Sequence, residues 1–166
     1  MAFDTFLDLG KDIEGESTAK GMEKKIEIYS FSWGASNPTT IGSGREGISA
    51  GKVSISSFNF MKKTDKASAL LFQRCAEGKH IDKAILTMRK ATGDGGQAPF
   101  LVYTFEKVMV ESIQWSGSSG GDDSPTESVS LAFSKVKIEY FKQDAKGAMA
   151  AAGQGLWDLT TVSSKA

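Results

Sequence analysis

Three extended segments of this 166-residue chain change, part-way along, the side on which their apolar residues fall. In Lys24–Trp33, Ile26 and Ile28 share one parity, while Tyr29, Phe31 and Trp33 take the other. In Lys52–Phe60, Val53 and Ile55 give way to Phe58 and Phe60. In Thr126–Phe141, a long predicted strand, Val129, Leu131 and Phe133 are followed beyond Lys135 by Val136, Ile138 and Tyr140. Side chains alternate strictly along a strand, so a strand can bury both parities in turn only if it bends or bulges from one sheet into another. Three such switches predict a mainly β protein, an antiparallel β-barrel or a tightly wrapped sandwich. Further strand patterns at Phe3–Leu9, Ile81–Lys90 and Pro99–Trp115 complete the set, separated by turn-forming clusters at Gly93–Gly96 and Ser116–Pro125.

One helix is predicted, over 64–78. Thr64 or Asp65 can accept from the free donors of the first turn, and Gly78 can take the left-handed conformation that ends a helix. On a helical wheel Lys66, Gln73 and Glu77 form a narrow polar arc. Ala67, Ala69, Leu70, Leu71, Phe72, Cys75 and Ala76 spread over most of the rest. A helix lying on one sheet needs only a stripe, so this surface implies a second contact, and Leu70, Leu71 and Phe72 are expected to divide between the chain's own sheet and a neighbouring subunit. Arg74 lies among them and needs a carboxylate or carbonyl partner at that contact.

The length suits one domain, which buries roughly two thirds of its unfolded surface. Residues 1–146 are read as that domain and 147–166 as an Ala- and Gly-rich tail in which Trp157 is the natural docking anchor. Gly34–Gly51 reads as a long loop, either a contact arm or a disordered excursion. Its candidate stacking residues are Asn37, Pro38, Ile41, Arg45, Glu46 and Ile48.

The 20 basic and 20 acidic residues cancel, which argues against nucleic acid or an anionic membrane as the main partner. Six carboxylates within Met1–Glu23 and eight Lys or Arg within Met61–Lys90 are read either as two solvated faces or as complementary poles for head-to-tail association. Cys75 and His80 each occur once, so a disulfide or a histidine–cysteine metal cluster has no ligand set, and a Cys–His dyad has no orienting third group. Neither glycine cluster has the GK[ST] ending of a phosphate loop. Asp122, Asp123 and Glu127 match no calcium-loop spacing and read as solvated turn carboxylates. The aromatic residues Phe58, Phe60, Phe100, Tyr103 and Phe105 read as core. No catalytic, cofactor-binding or metal site is predicted. A basic, then apolar N-terminal leader and any run of 18 apolar residues are both missing, so synthesis in the cytoplasm without a cleaved signal is expected.

The stretches Gly15-Glu16-Ser17, Ser30-Phe31-Ser32-Trp33-Gly34, Asp65-Lys66-Ala67-Ser68, Gly78-Lys79-His80-Ile81 and the strand Glu127–Tyr140 occur in an order that resembles the haemolysin-coregulated protein (Hcp) family of bacterial type VI secretion, from Met1 to about Lys146. Ala69 stands where many members have proline. The resemblance implies a β-barrel with a flanking helix, a non-enzymatic tube subunit forming a homo-hexameric ring. Stacked rings would be expelled by a sheath, with spike and effector proteins as partners and release from the cell. The competing readings are a monomeric β-barrel carrying a ligand or cargo, a tail-tube protein of a contractile phage-like particle and, third, an enzyme dependent on His80.

Overall fold

The computed structural model describes residues 3–42, 47–121 and 123–165. In chain order its elements are β1 (Asp4–Asp8), β2 (Ile26–Glu27), β3 (Ser30–Ser32), β4 (Ala35–Ser36), β5 (Thr39–Ile41), β6 (Ile48–Ala50), β7 (Ser54–Ile55), β8 (Phe58–Lys63), α1 (Ala67–Glu77), β9 (Ile81–Ala91), β10 (Gln97–Ser116), β11 (Thr126–Ala132), β12 (Lys135–Gln143) and β13 (Met149–Asp158). The hydrogen-bonded path is β2-β1-β9-β10-β11-β8-β3, with β12 between β10 and β13, and every pairing is antiparallel.

Each change of apolar parity marks a place where the chain crosses between sheets. The Lys24–Trp33 segment pairs with β1 through β2 and with β8 through β3. At the crossing, the Ile28 amide donates to Thr5 and the next amide, Tyr29, donates to Met61. Both ends of the path are thus carried by one short segment, which wraps a sandwich tightly. The switch in Lys52–Phe60 separates β7 from β8. The predicted strand Thr126–Phe141 is two strands, broken at Phe133-Ser134, and the longest strand is β10, with 20 residues.

β10 has its own switch, from buried Phe105 to buried Val108 and Val110, and between them Lys107 takes φ 51°. Its first half pairs with β9 and β12, its second half with β11. The break in the neighbouring strand lies beside the same bend, since Glu106 pairs with Lys135 and Met109 with Ala132. One corner therefore bends both strands.

The core between the sheets is filled by Phe58, Phe60 and Phe105, with Leu7, Ile26, Leu71, Leu86, Met88, Val108, Val129 and Leu131 around them. Trp33, Tyr103 and Phe133 surround Phe105, with ring centroids 4.6–6.3 Å away and tilted or edge-on rings. Phe100 lies apart from this group, edge-on to Phe3. Gly15 is required by close approach, because a Cβ there would stand 2.3 Å from the Lys25 carbonyl oxygen. That approach lets Gly15 and Ser17 donate to the carbonyls of Lys24 and Lys25.

The helix is shorter than 64–78 by its first three residues and its last. Lys66 stands at the N-cap and makes no side-chain cap bond; just before it the Asp65 carboxylate accepts from the Ala67 amide at 2.9 Å, and Ser68 Oγ accepts from the Asp65 amide at 3.0 Å. Thr64 Oγ1 donates instead to the Pro125 carbonyl. Gly78 closes the helix in the left-handed conformation at φ 63°, its amide on the Arg74 carbonyl.

A buried ionic cluster joins this helix start to the second sheet. Lys62, Glu127 and Trp115 are successive cross-strand neighbours on β8, β11 and β10. Both Lys62 and Glu127 are fully buried. Lys62 Nζ donates to Asp65 Oδ1 (2.7 Å), Ser68 Oγ (3.0 Å) and the Lys63 carbonyl (3.0 Å), which uses its three protons. Glu127 Oε2, 2.8 Å from the same nitrogen, is held by charge more than by a directed bond. Trp115 Nε1 donates to the other oxygen, Oε1, at 2.5 Å. Burial pushes the Glu127 carboxyl up, but Lys62, Ser68 and the Trp115 indole beside it together hold it below its ordinary value of 4.5. Glu127 is therefore no turn carboxylate, and Asp122 lies outside the described residues.

Two outcomes follow for stability in urea. Lys62→Met leaves a buried carboxylate without a cation and should cost roughly 3–5 kcal/mol. Glu127→Gln keeps an acceptor for Trp115 and leaves Lys62 with Asp65, so it should cost less, about 1–3 kcal/mol. A Lys62→Met protein as stable as wild type contradicts this ranking. Because the folded-state pKa of Glu127 is depressed, its contribution is complete above its ordinary value and is lost as pH falls through the folded value. The stability gap between wild type and Glu127→Gln should hold from neutral pH to just above 4.5 and narrow below it.

Candidate functional site

The side chains that a chain of this kind can use for assembly are the large apolar ones its own fold leaves uncovered. α1 packs on β10 through Ala67, Ser68 and Leu71. Leu71 is 0% exposed and belongs wholly to the chain's own core, so it is not available to a neighbour as the sequence reading allowed. Leu70 and Phe72 lie on opposite flanks of the buried arc, 38% and 54% exposed, and Ala69 and Ala76 are exposed as well. The excess apolar surface of the helix is thus real, and it lies on the two flanks of the buried arc.

Trp115, 45% exposed at the end of β10, extends this surface, its ring 6.1 Å from that of Phe72 and tilted by 54°. The sequence reading placed Trp115 at the end of a strand without a role. No local signal marks it: only the cross-strand register that sets Trp115 opposite Glu127 brings its ring beside Phe72. Arg74 finds its partner within the chain, with its guanidinium 3.7 Å from Asp12. Lys66 pairs with Glu14 at 3.2 Å. Two acids of the N-terminal stretch are thereby matched to bases of the 61–90 stretch in one protomer, which weakens the reading of free complementary poles.

The second exposed surface is the 34–51 stretch. Its described residues form not a loop but a jointed β arm. β4 pairs with β7 and β5 with β6, and the Gly34 carbonyl accepts from the Ser56 amide at its base. Midway, Gly51 donates to the Pro38 carbonyl at 2.7 Å, where a Cβ on Gly51 would lie 2.7 Å from the Pro38 ring. Asn37 and Pro38 are exposed at this joint, and Ile41 and Ile48, directly opposed near the end, are 79% and 77% exposed. Arg45 and Glu46 lie outside the described residues.

The stretch expected to be a tail is largely β13, paired with β12 from Lys135↔Asp158 to Gln143↔Met149. Trp157 is half-buried against the chain's own core, opposite Val136, and its anchoring role toward a neighbour is replaced by this intramolecular one. Its indole nitrogen is buried without a hydrogen-bond partner.

No arrangement here assembles a reaction centre from Cys75 and His80. The Cys75 thiol contacts the Glu111 carbonyl at 3.8 Å, while His80 Nε2 faces exposed Asp82 at 3.4 Å. His80 lies on an open groove of about 520 Å³ between the Asp8–Ile13 turn, Arg74 and the start of β9, lined by charges of both signs. Among the described residues, no three His, Cys, Asp or Glu side chains are grouped to hold a metal. No helix among them is long and apolar enough to cross a membrane.

Comparison with known proteins agrees with this architecture. The family model described as "Type VI secretion system effector, Hcp" matches residues 6–140. The chain is 40% identical over 148 residues to protein hcp1 of Pseudomonas aeruginosa, covering 89% of each. A solved structure described as a type six secretion system protein superposes with a TM-score of 0.90 at 36% identity, covering 99% of this chain and all of that one. The crystal structure of Hcp1 from Salmonella typhimurium gives 0.76 at 35% identity, with 98% of each chain covered. A mainly β sandwich with one flanking helix, matched over nearly its whole length by such relatives, places this chain in the Hcp family of type VI secretion proteins.

Proposed function

We propose that the protein is a non-enzymatic tube subunit that closes into a homo-hexameric ring, and that rings stack into a tube which is expelled, carries effector proteins and is released from the cell. Sheath and spike proteins are the partners this role requires. The observation that carries the reading is the placement of large apolar side chains on two separate protrusions of one chain, Leu70 and Phe72 on α1 and Ile41 and Ile48 on the arm. Two different exposed surfaces make head-to-tail contacts, and a head-to-tail contact that rotates to closure forms a ring.

In this assembly the flank of α1 that carries Phe72, with Trp115, meets the neighbour within a ring, and the β5–β6 end of the arm reaches toward the adjacent ring. Arg74, already paired with Asp12, lies at the edge of the first contact. The filled interior between the sheets supports a building block over a ligand carrier, because Phe58, Phe60 and Phe105 occupy the space that cargo would need.

Phe72→Asp buries a charge in the ring contact and removes an aromatic anchor, a loss of about 2 kcal/mol or more per contact, roughly thirtyfold in affinity. Light scattering at micromolar concentration should show a ring mass for wild type and a single-chain mass for Phe72→Asp, with the circular dichroism of the two unchanged. Ile41→Asp should keep the ring mass and lose longer assemblies. A wild-type protein that scatters only as a monomer, or a Phe72→Asp protein with the ring mass intact, contradicts the proposal.

A further inference from the structure

The buried cluster opens most widely to the surface at the Trp115 indole, 45% exposed, with Asp65 only 13% exposed at its other end. Glu127 offers two oxygens: Oε1 faces the Trp115 N–H at 2.5 Å and Oε2 the Lys62 ammonium at 2.8 Å, while the nearby Ser68 Oγ already accepts from Lys62 and from the Asp65 amide. The ammonium repels a proton from Oε2 and so directs it to Oε1, where it takes one lone pair, removes the negative charge and turns a charge-assisted bond from the indole into a weak one that water can replace. The charged groups facing Glu127 are Lys62 from β8 and, behind it, Asp65 from the turn before α1. β10 contributes only Trp115 and α1 only Ser68, neither of which titrates.

Two features make such a displacement local. Lys62 retains Asp65, Ser68 and the Lys63 carbonyl when Glu127 is neutral, so no buried cation is orphaned. Trp115 is 45% exposed, so a freed indole N–H can turn to water, which fully buried Glu127 and Lys62 cannot.

We propose that Glu127 is an acid-releasable catch: ionised, it holds the Trp115 ring in place beside Phe72 on one flank of α1, and protonated, it lets that ring go while the sandwich stays folded. The proton taken from solvent ends on Glu127 Oε1, the Nε1–H···Oε1 bond is exchanged for one to water, and Lys62 keeps its other acceptors. Glu127 thereby becomes a positioning residue for a surface it does not itself reach. Its consequence for assembly rests on the proposed contact between that flank of α1 and a second copy.

The test is fluorine NMR of the full chain carrying 5-fluorotryptophan, from neutral pH to about 3, with the Trp115 resonance assigned by its loss in Trp115→Phe. The Trp115 resonance should move through one acid transition while Trp33 and Trp157 stay put, and in Glu127→Gln, whose amide oxygen accepts from the indole at every pH, it should not move. A stationary Trp115 resonance in wild type, an equal movement in Glu127→Gln, or movement only together with Trp33 and Trp157 overturns the catch. Sedimentation velocity across the same pH range separates the two claims. Loss of ring mass at the Trp115 transition supports the coupling, whereas release of Trp115 with the ring mass unchanged leaves the catch standing and overturns the α1 contact.

Discussion

The pairing of Lys62 with Glu127 is the constraint on which the rest of the structure leans. Two opposite charges are placed beyond the reach of water on adjacent strands, and every remaining proton and lone pair must then be met by protein. Lys62 meets this need by drawing in Asp65 and Ser68, which are the residues that start α1. Glu127 does so by drawing in Trp115 from β10. A single ion pair thus fixes three strands in register and sets where the helix begins, and the helix in turn carries Leu70 and Phe72 outward. Such a cluster contributes less to net stability than apolar packing of equal volume would, but it tolerates fewer alternative arrangements.

Much of the sandwich was legible because its corners are written in parity. Ile28 followed by Phe31, Ile55 by Phe58, and Leu131 by Val136 each announce a crossing that the hydrogen bonds then realise. The bend at Lys107 was missed for a physical reason: the strand continues through it without glycine or proline, and one lysine in the left-handed region leaves no mark in composition. The arm was read as a loop because its strands are two or three residues long and pair only with one another, so no buried face imposes alternation. β13 was read as a tail for a related reason. Ala and Gly seldom form strands by preference, and here the ladder with β12 overrides that preference.

The outward surface of α1 was visible in the sequence as a helix apolar on too many sides. Which residues it exposes was not. Leu71 is separated from Leu70 and Phe72 by one position in each direction, yet it is sealed while they are open, because β10 crosses beneath only one arc of the helix. Glu127 was misread from its neighbours: beside a Gly, Ser and Asp loop a carboxylate looks solvated, and only the cross-strand register brings Lys62 and Trp115 to it. Local composition describes what precedes a strand, not what faces it.

The fold supplies a rigid block whose unfinished surfaces lie on a helix and on a jointed arm, and the central claim is that copies of the block complete one another in a ring. Negative-stain electron microscopy of the purified wild-type chain tests this most directly. Rings with a central hole, some stacked end to end, are the predicted result. A field of single compact particles of one-chain size, at concentrations where the apolar faces could meet, would contradict it.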